Sequence, residues 1–148
     1  MDFEPQYTPE QEEFRTEVRE WLKDNMPSNI VQPADPIDLT EEQYQKRRDL
    51  GRSLGSKGWL WPTADPQYGG GGLSLDHAVV IKEEMESYGL TVPPYYDSGG
   101  RLGGASIMVW GTEEQKQQFL PPILKGEVRT WQLLSEPEAG SDLANVQT

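Results

Sequence analysis

Three short motifs of one kind constrain the fold of this chain more than any other feature. Thr8, Thr40 and Thr112 each lead a four-residue run that contains glutamate and closes with glutamine. A threonine hydroxyl and a glutamine amide at this spacing bind backbone N–H groups of a first helical turn, an arrangement called a capping box. The sequence therefore predicts a mainly helical chain. No repeat period links the three motifs.

The first predicted helix is amphipathic. Its apolar residues recur at a spacing of three or four and so form one stripe: Phe14, Val18, Trp21 and Leu22. Residues 25–27, which include a proline, end it.

The second predicted helix runs from Thr40 to a stop at Gly58. Its larger apolar residues share a broad face: Tyr44, Leu50 and Leu54. Gly51 and Gly55 lower the helix propensity by about 1 kcal/mol each relative to alanine. They either weaken this helix or mark the close approach of another one.

Further helices follow in the second half of the chain. Ser74 is placed to cap a third helix that closes at residues 88–89. A fourth is predicted over residues 97–110, and a short fifth begins at Thr112 and ends where residues 121–122, both proline, interrupt it.

The glycine run at residues 69–72 is interpreted as a loop. A phosphate-binding P-loop would close such a run with Gly-Lys-Ser/Thr, but Leu73 and Ser74 follow here.

Residues 131–142 read as a short apolar strand that leads into a tight polar loop. Pro137 stops both helix and strand, and Gly140 is able to take a positive φ. Ser141 and Asp142 are suited to hydrogen bonds with neighbouring backbone N–H groups. From the residues alone, the loop is either a structural turn or a rigid concavity for an anionic oxygen or the polar edge of a cofactor.

Charge and composition exclude several classes of function. The chain has 13 basic and 25 acidic residues and a net charge of −12, which disfavours nucleic acids and anionic membrane surfaces. It has no cysteine and a single histidine, His77, so we expect neither disulfides nor a metal site. No apolar stretch is long enough to span a membrane, and no secretory signal is visible at the start, so a cytoplasmic location is expected.

The 148 residues are enough for one domain, but hydrophobic residues make up only 34% of them. The core is therefore thin, and surfaces that bury against another domain or subunit are expected.

Three segments resemble the acyl-CoA dehydrogenase family of flavoenzymes. Residues 135–142, Ser-Glu-Pro-Glu-Ala-Gly-Ser-Asp, resemble the family's S/T-E-P-x-A-G-S-D signature. Residues 57–74 resemble its K-G-W…P…Y-G-G-x-G-x-S segment, and residues 111–127 its G-T-E-E-Q-K…F-L-P…G-E segment. The three occur in family order and cover nearly the whole chain.

The resemblance implies a helical N-terminal domain at residues 1–128 and the truncated start of a β-domain, its first strand and loop, at residues 129–148. It implies an oxidoreductase of fatty acid or lipid metabolism that desaturates an acyl-CoA thioester and passes a hydride to N5 of FAD. It further implies an electron-transfer flavoprotein as acceptor and a homotetramer or homodimer of the complete chain.

The resemblance also assigns site residues. The positions that bind FAD are those of Gln132, Leu134, Ser135, Gly140 and Ser141. The positions that bind substrate are those of Ser141, Gly99 and Gly103. Gln132 departs from the family's pattern, because many members have an aromatic residue there. No catalytic residue is assigned, since the family's base is a glutamate of a C-terminal domain. The two carboxylates of the signature, Glu136 and Asp142, are interpreted as structural, with Asp142 accepting backbone N–H bonds.

The family's fourth helix lines the acyl pocket, and here four glycines fall between residues 99 and 104. They either leave room for a ring-bearing or branched acyl group or permit close packing of helices. Two further alternatives to a dehydrogenase remain open: an acyl-CoA oxidase, and a non-catalytic helical partner subunit. The 148-residue chain alone is expected to be inactive.

Overall fold

The computed structural model describes residues 6–30, 38–95, 97, 100–131, 133 and 135–147. Its helices are α1 (Pro9–Asn25), α2 (Glu41–Ser56), α3 (Leu75–Ser87), α4 (Ala105–Trp110) and α5 (Glu113–Leu124). A π-helical turn, Gly100–Gly104, leads directly into α4, and short 3-10 turns cover Pro66–Tyr68 and Leu143–Asn145. The prediction of a mainly helical domain is confirmed.

The predicted caps form at four helix starts. Complete capping boxes begin α1 and α5, where the threonine hydroxyl accepts from the backbone of the third helical residue and that residue's glutamine side chain accepts from the threonine N–H. At α2 the capping box predicted at Thr40 is incomplete: the Thr40 hydroxyl accepts from Gln43 N, but Gln43 Nε2 donates to the carbonyl of Asn29. Ser74 caps α3. Each cap satisfies backbone groups that a helix end leaves without partners.

The main core lies between α1, α2 and α3. Its fully buried residues come from all three helices and from the segments after α2 and α3: Val18, Leu22, Leu50, Leu54, Trp59, Leu60, Val80, Ile81, Met85 and Leu90. Trp59 packs edge-on against both Phe14 and Trp21, with ring centroids 5.7 and 5.4 Å apart. The amphipathic stripe predicted for the first helix therefore faces this core.

The two glycines of α2 mark close approach, but of the residue that ends α5 and of a loop side chain, and not of another helix along its length. A Cβ atom at Gly55 would overlap the backbone of Lys125, which follows α5, and one at Gly51 would overlap the ring of Tyr95. Only residues without a side chain let these segments come so near to α2.

A network of ion pairs joins α1 to α3 beside the core. Glu84 is 5% exposed and accepts from both Arg15 and Arg19 at 2.8–3.1 Å. Arg15 also donates to Glu83 at 2.7 Å, and Tyr7 donates to the same carboxylate at 2.8 Å. The hydrogen-bonded charges of Arg15 and Arg19 offset the cost of burying the Glu84 carboxylate.

The fifth helix does not end at the prolines, so that prediction is wrong. α5 continues through Pro121 and Pro122 to Leu124. Both proline carbonyls still accept hydrogen bonds, Pro121 from Lys125 N at 3.0 Å and Pro122 from Glu127 N at 2.9 Å. Leu120 and Ile123, on either side of the prolines, are buried, so tertiary packing holds the turn together.

The fourth helix is shorter than the predicted range of 97–110. The Asp97 carboxylate accepts from Gly100 N at 2.7 Å, and Gly100–Gly104 form the wider π-helical turn before α4 begins at Ala105. Glycine stabilises a regular α-helix poorly, which explains why the glycine-rich part adopts the looser geometry.

The predicted strand near residue 131 does not form in the described part of the chain. Trp131 and Leu133 are outside any strand, and their exposed fractions are 62% and 92%. A strand needs a neighbouring strand for its backbone hydrogen bonds, and the described residues form no strand beside this one. Trp131 and Leu133, two apolar residues of the predicted strand, are therefore exposed in this structure.

Candidate functional site

A tight turn organises the signature loop. Glu136 and Ala139 exchange both of their backbone hydrogen bonds, with N···O distances of 2.8 and 3.1 Å, across Pro137 and Glu138. Pro137 favours such a turn because its ring fixes φ near the required value. Ala139 is 2% exposed, so its side chain is covered by other residues.

Contacts with the residues that follow hold this turn in place. The Glu136 carboxylate accepts from Gln147 N at 3.0 Å, and Asn145 Nδ2 donates to the carbonyl of Glu138 at 3.4 Å. Glu136 thus has the structural role predicted for it. Asp142 also ties the loop, because its backbone carbonyl accepts from Asn145 N at 3.2 Å, whereas the bonds predicted for its carboxylate stay a prediction.

Three of the predicted cofactor-binding residues lie on the outer surface of this loop. Ser135, Gly140 and Ser141 are all exposed. A Cβ atom at Gly140 would meet nothing within 4 Å, and its φ lies outside the left-handed region, so the positive φ expected there is not used. Neither serine hydroxyl bonds to a described residue. The surface therefore offers two hydroxyl groups and open space to a polar ligand.

Of the other predicted site residues, the structure describes only Gly103. Gln132, Leu134 and Gly99 lie outside the described residues. Gly103 belongs to the π-helical turn, and the nearest described atom to its Cβ position is Thr130 Oγ1, at 3.8 Å. The structure thus places Gly103 against the segment that leads into the signature loop.

Two residues of that segment were not identified from sequence. Arg129 donates to the Tyr44 hydroxyl of α2, and its guanidinium stacks on the Trp131 ring at 4.6 Å. Arg129 Nε and Thr130 Oγ1 are shielded from solvent and have no hydrogen-bond partner in the described structure. No motif singles them out in the sequence; the one available signal is a positive charge placed between Val128 and Trp131. The contact with Tyr44 fixes where the segment leaves the helical domain.

A second arginine, Arg48 of α2, binds the beginning of the same segment. Arg48, which is 5% exposed, donates to the carbonyl of Gly126 at 2.8 Å and stacks on the ring of Tyr95 at 4.3 Å. Burial raises the pKa of Tyr95, while the charge of Arg48 acts in the opposite direction. The phenol is therefore neutral at physiological pH and has a structural role.

An apolar surface remains exposed on α4 and α5. Trp110 is 85% exposed and Phe119 45%, and with Ser106, Ile107 and Gln115 they line a shallow groove of about 440 Å³. Large apolar side chains that are exposed next to one another are typical of surfaces that contact another protein or domain.

Two features are absent from the described parts of the chain. No group of three or more His, Cys, Asp or Glu residues there could hold a metal ion. No described helix has the length and apolar character that a membrane span requires. His77 lies in the first turn of α3, packed on Phe14 with ring centroids 4.6 Å apart.

Comparison with known proteins gives a consistent result. A family model described as acyl-CoA dehydrogenase, N-terminal domain, matches residues 8–127. The chain is 37% identical over 145 residues to acyl-CoA dehydrogenase IpdE1 of Mycolicibacterium smegmatis, covering 94% of this chain and 36% of the relative. It is 32% identical to the mitochondrial isovaleryl-CoA dehydrogenase of Bos taurus, covering 93% of this chain and 31% of the relative.

Solved structures agree with the sequence relatives. The chain aligns with the ChsE4-ChsE5 complex of Mycobacterium tuberculosis at a TM-score of 0.66 and 31% identity, covering 99% of this chain and 35% of that one. It aligns with a Tcur3481-Tcur3483 protein described as a steroid ACAD at 0.68 and 30%, covering 99% and 36%. The chain therefore spans about a third of the length of these relatives.

Proposed function

Because this chain belongs to the acyl-CoA dehydrogenase family, we propose that it forms the N-terminal part of an FAD-dependent enzyme. That enzyme desaturates an acyl-CoA thioester between its α and β carbons. The observation that carries the proposal is the signature loop, whose Glu136–Ala139 turn presents Ser135, Gly140 and Ser141 on an exposed surface. We place the helical domain at residues 1–128 and the start of a β-domain at 129–148.

The loop fits the cofactor on two counts. The Ser135 and Ser141 hydroxyls are exposed and bond to no described residue, and a Cβ atom at Gly140 would meet nothing within 4 Å. Hydroxyl donors and uncovered backbone are what a pyrophosphate requires in a protein whose net charge of −12 otherwise repels anions. The chemistry that FAD supplies when bound is the two-electron oxidation of the acyl group.

In that reaction the residues of this chain would bind and orient the cofactor and the substrate. Ser141 and Gly140 would hold the pyrophosphate, with Ser141 also near the CoA moiety, and Ser135 would contact the flavin ring together with Gln132 and Leu134. Neither carboxylate of the loop is assigned as the base: Glu136 is already bonded to Gln147 N. The base belongs to a further part of the enzyme, so the 148-residue chain alone is proposed to be inactive.

The proposed substrate is an acyl-CoA with a bulky acyl group, for which Gly99 and Gly103 leave room. One solved relative is described as a steroid ACAD and one sequence relative as an isovaleryl-CoA dehydrogenase, so both ring-bearing and branched groups fit the proposal. The exposed groove at Trp110 and Phe119 suits contact with another subunit or domain. A cytoplasmic location and electron transfer to a flavoprotein complete the proposal.

The test replaces one serine of the loop in the FAD-loaded enzyme that contains this chain. Ser141→Ala removes a hydrogen bond to a charged group, so we expect the Kd for FAD to rise about tenfold. Ser56→Ala, on the surface of α2, is the matched control and should leave the Kd unchanged. Equal FAD affinity in all three proteins would disprove the assignment of the loop.

Two further measurements separate the proposal from its alternatives. Oxygen consumption without an added electron acceptor would identify an acyl-CoA oxidase. Intact mass and flavin absorbance of the purified protein address the partner-subunit alternative, because a chain of 16.7 kDa without flavin would favour a non-catalytic module.

A further inference from the structure

Arg129 joins the segment before the signature loop to the helical domain. Its Nη1 atom donates to the Tyr44 hydroxyl of α2. Its guanidinium also contacts two aromatic rings, since the central carbon lies 5.2 Å from the ring centroid of Tyr44 and 4.6 Å from that of Trp131. A planar guanidinium held by a hydrogen bond and by stacked rings is restrained in both position and orientation. Residue 129 is therefore fixed relative to α2.

The residues just before it are fixed as well. Arg48 of α2 donates to the carbonyl of Gly126 at 2.8 Å, and the carbonyl of Pro122 in α5 accepts from Glu127 N at 2.9 Å. Arg48 and Tyr44 are one helical turn apart and so lie on the same face of α2. One face of this helix therefore holds the segment at two points.

The helical core gains little from this placement. Trp131 and Leu133, which follow Arg129, are exposed and do not pack into the described core. Arg129 Nε and Thr130 Oγ1 are shielded from solvent without a hydrogen-bond partner in the described structure, which costs free energy. The stability of the helical domain therefore does not explain why the segment is tied to α2, and a contact without such a gain is better explained by function.

We propose that Arg129 and Tyr44 are positioning residues for FAD, because their contact fixes the segment that leads to Ser135 and Ser141 before the cofactor binds. This inference rests on the proposed function. A segment that is already ordered loses less conformational entropy when a ligand binds, so the ligand binds more tightly. Both residues act through the position of the loop, and neither is assigned a contact with the cofactor.

The experiment titrates FAD into the cofactor-free form of the enzyme that contains this chain and follows flavin fluorescence. Tyr44→Phe keeps the ring but removes the hydroxyl, and should raise the Kd for FAD about threefold. Arg129→Gln also removes the charge that both ring contacts need, and should raise the Kd about tenfold. Arg129→Lys keeps the charge and should give a Kd between those of the wild type and Arg129→Gln. The Tm of the cofactor-free protein should change by less than about 2 °C in each variant.

Two comparisons isolate the contact. The double variant that combines Tyr44→Phe with Arg129→Gln should bind FAD as Arg129→Gln does, because the second change removes an interaction that is already lost. Tyr68→Phe is the matched control: its hydroxyl also bonds to a charged side chain, but to Glu113 of α5. Arg52→Gln replaces an exposed arginine of α2 that pairs with a residue of the same helix. Both controls should leave the Kd unchanged.

Each outcome decides a separate claim. An unchanged Kd in Arg129→Gln, when Ser141→Ala does raise it, overturns the inference and leaves the proposed function intact. A lower Tm with an unchanged Kd, or loss of folding in Arg129→Gln, also overturns it, since Arg129 would then only stabilise the fold. Additive effects in the double variant would show that the two residues do not act through one contact. An enzyme that does not bind FAD, or whose Kd neither Ser141→Ala nor Arg129→Gln changes, refutes the proposed function itself.

Discussion

Replacing Glu84 tests how α1 is held against α3. The carboxylate accepts three hydrogen bonds, from Arg19 Nε at 3.0 Å, Arg19 Nη2 at 2.8 Å and Arg15 Nη1 at 3.1 Å. Glu84→Gln keeps the shape but removes the charge that both guanidinium groups face. Removing one partner of a buried ion pair costs about 3–5 kcal/mol. Arg19 is 63% exposed and is partly solvated without its partner, so we expect a loss of about 2–3 kcal/mol.

The assay is urea unfolding followed by tryptophan fluorescence. Trp21 of α1 packs on Trp59 of the core, so separation of α1 changes the signal. The control is Glu86→Gln on the same helix: its ion pair with Lys82 spans 3.6 Å, and both side chains are more than half exposed. That pair is worth less than about 0.5 kcal/mol. If the two variants lose equal amounts of stability, the network does not hold α1 in place.

The same variant predicts a change in acid stability. Burial would raise the pKa of Glu84, but hydrogen bonds from Arg19 and Arg15 outweigh it and lower the pKa below the ordinary value of 4.5. Between the two values the unfolded chain binds more protons than the folded one. The contribution of Glu84 is therefore complete above about pH 4.5 and is lost as the pH falls through its folded pKa. The stability difference between wild type and Glu84→Gln should shrink on acidification below about pH 4.5. A difference that stays constant down to about pH 3 would contradict this reasoning.

Four other substitutions have defined outcomes. Gly55→Ala should cost about 3 kcal/mol in urea unfolding, because its methyl group would overlap the backbone of Lys125, whereas Gly140→Ala should change the free energy of unfolding by less than about 0.5 kcal/mol. Equal effects of the two glycine variants would show that Lys125 does not pack tightly on α2. Thr112→Ala should lower the free energy of unfolding by about 1 kcal/mol through loss of the cap of α5, and Thr112→Ser should retain most of that stability. A silent Thr112→Ala would mean that packing alone holds α5.

The parts of the fold that could be predicted from sequence are those set by neighbouring residues. A cap depends on a side chain and a backbone group three residues away, so Thr8, Ser74 and Thr112 each identify a helix start. The stop at Gly58 is of the same kind, since its φ of 74° is one that glycine adopts without strain.

The parts that could not be predicted depend on distant residues. Proline at 121 and 122 opposes a helix locally, but burial of Leu120 and Ile123 outweighs it. The bonds between Arg15 and Glu84 join residues 69 positions apart, and nothing in either local sequence indicates them. Arg129 is a similar case, because its partner Tyr44 lies on the second helix.

The signature loop combines both kinds of information. Its turn forms from local bonds alone, between Glu136 and Ala139, and so the sequence was sufficient to predict a tight bend at Pro137. Its position relative to the helical domain depends on Arg129 and Arg48, two arginines that hold the preceding segment against α2 and that the signature does not contain. A chain that kept the signature but lost both arginines would still form the turn. It would no longer fix Ser135 and Ser141 relative to Gly103, so the proposed cofactor and acyl sites would lose their alignment although every signature residue was present.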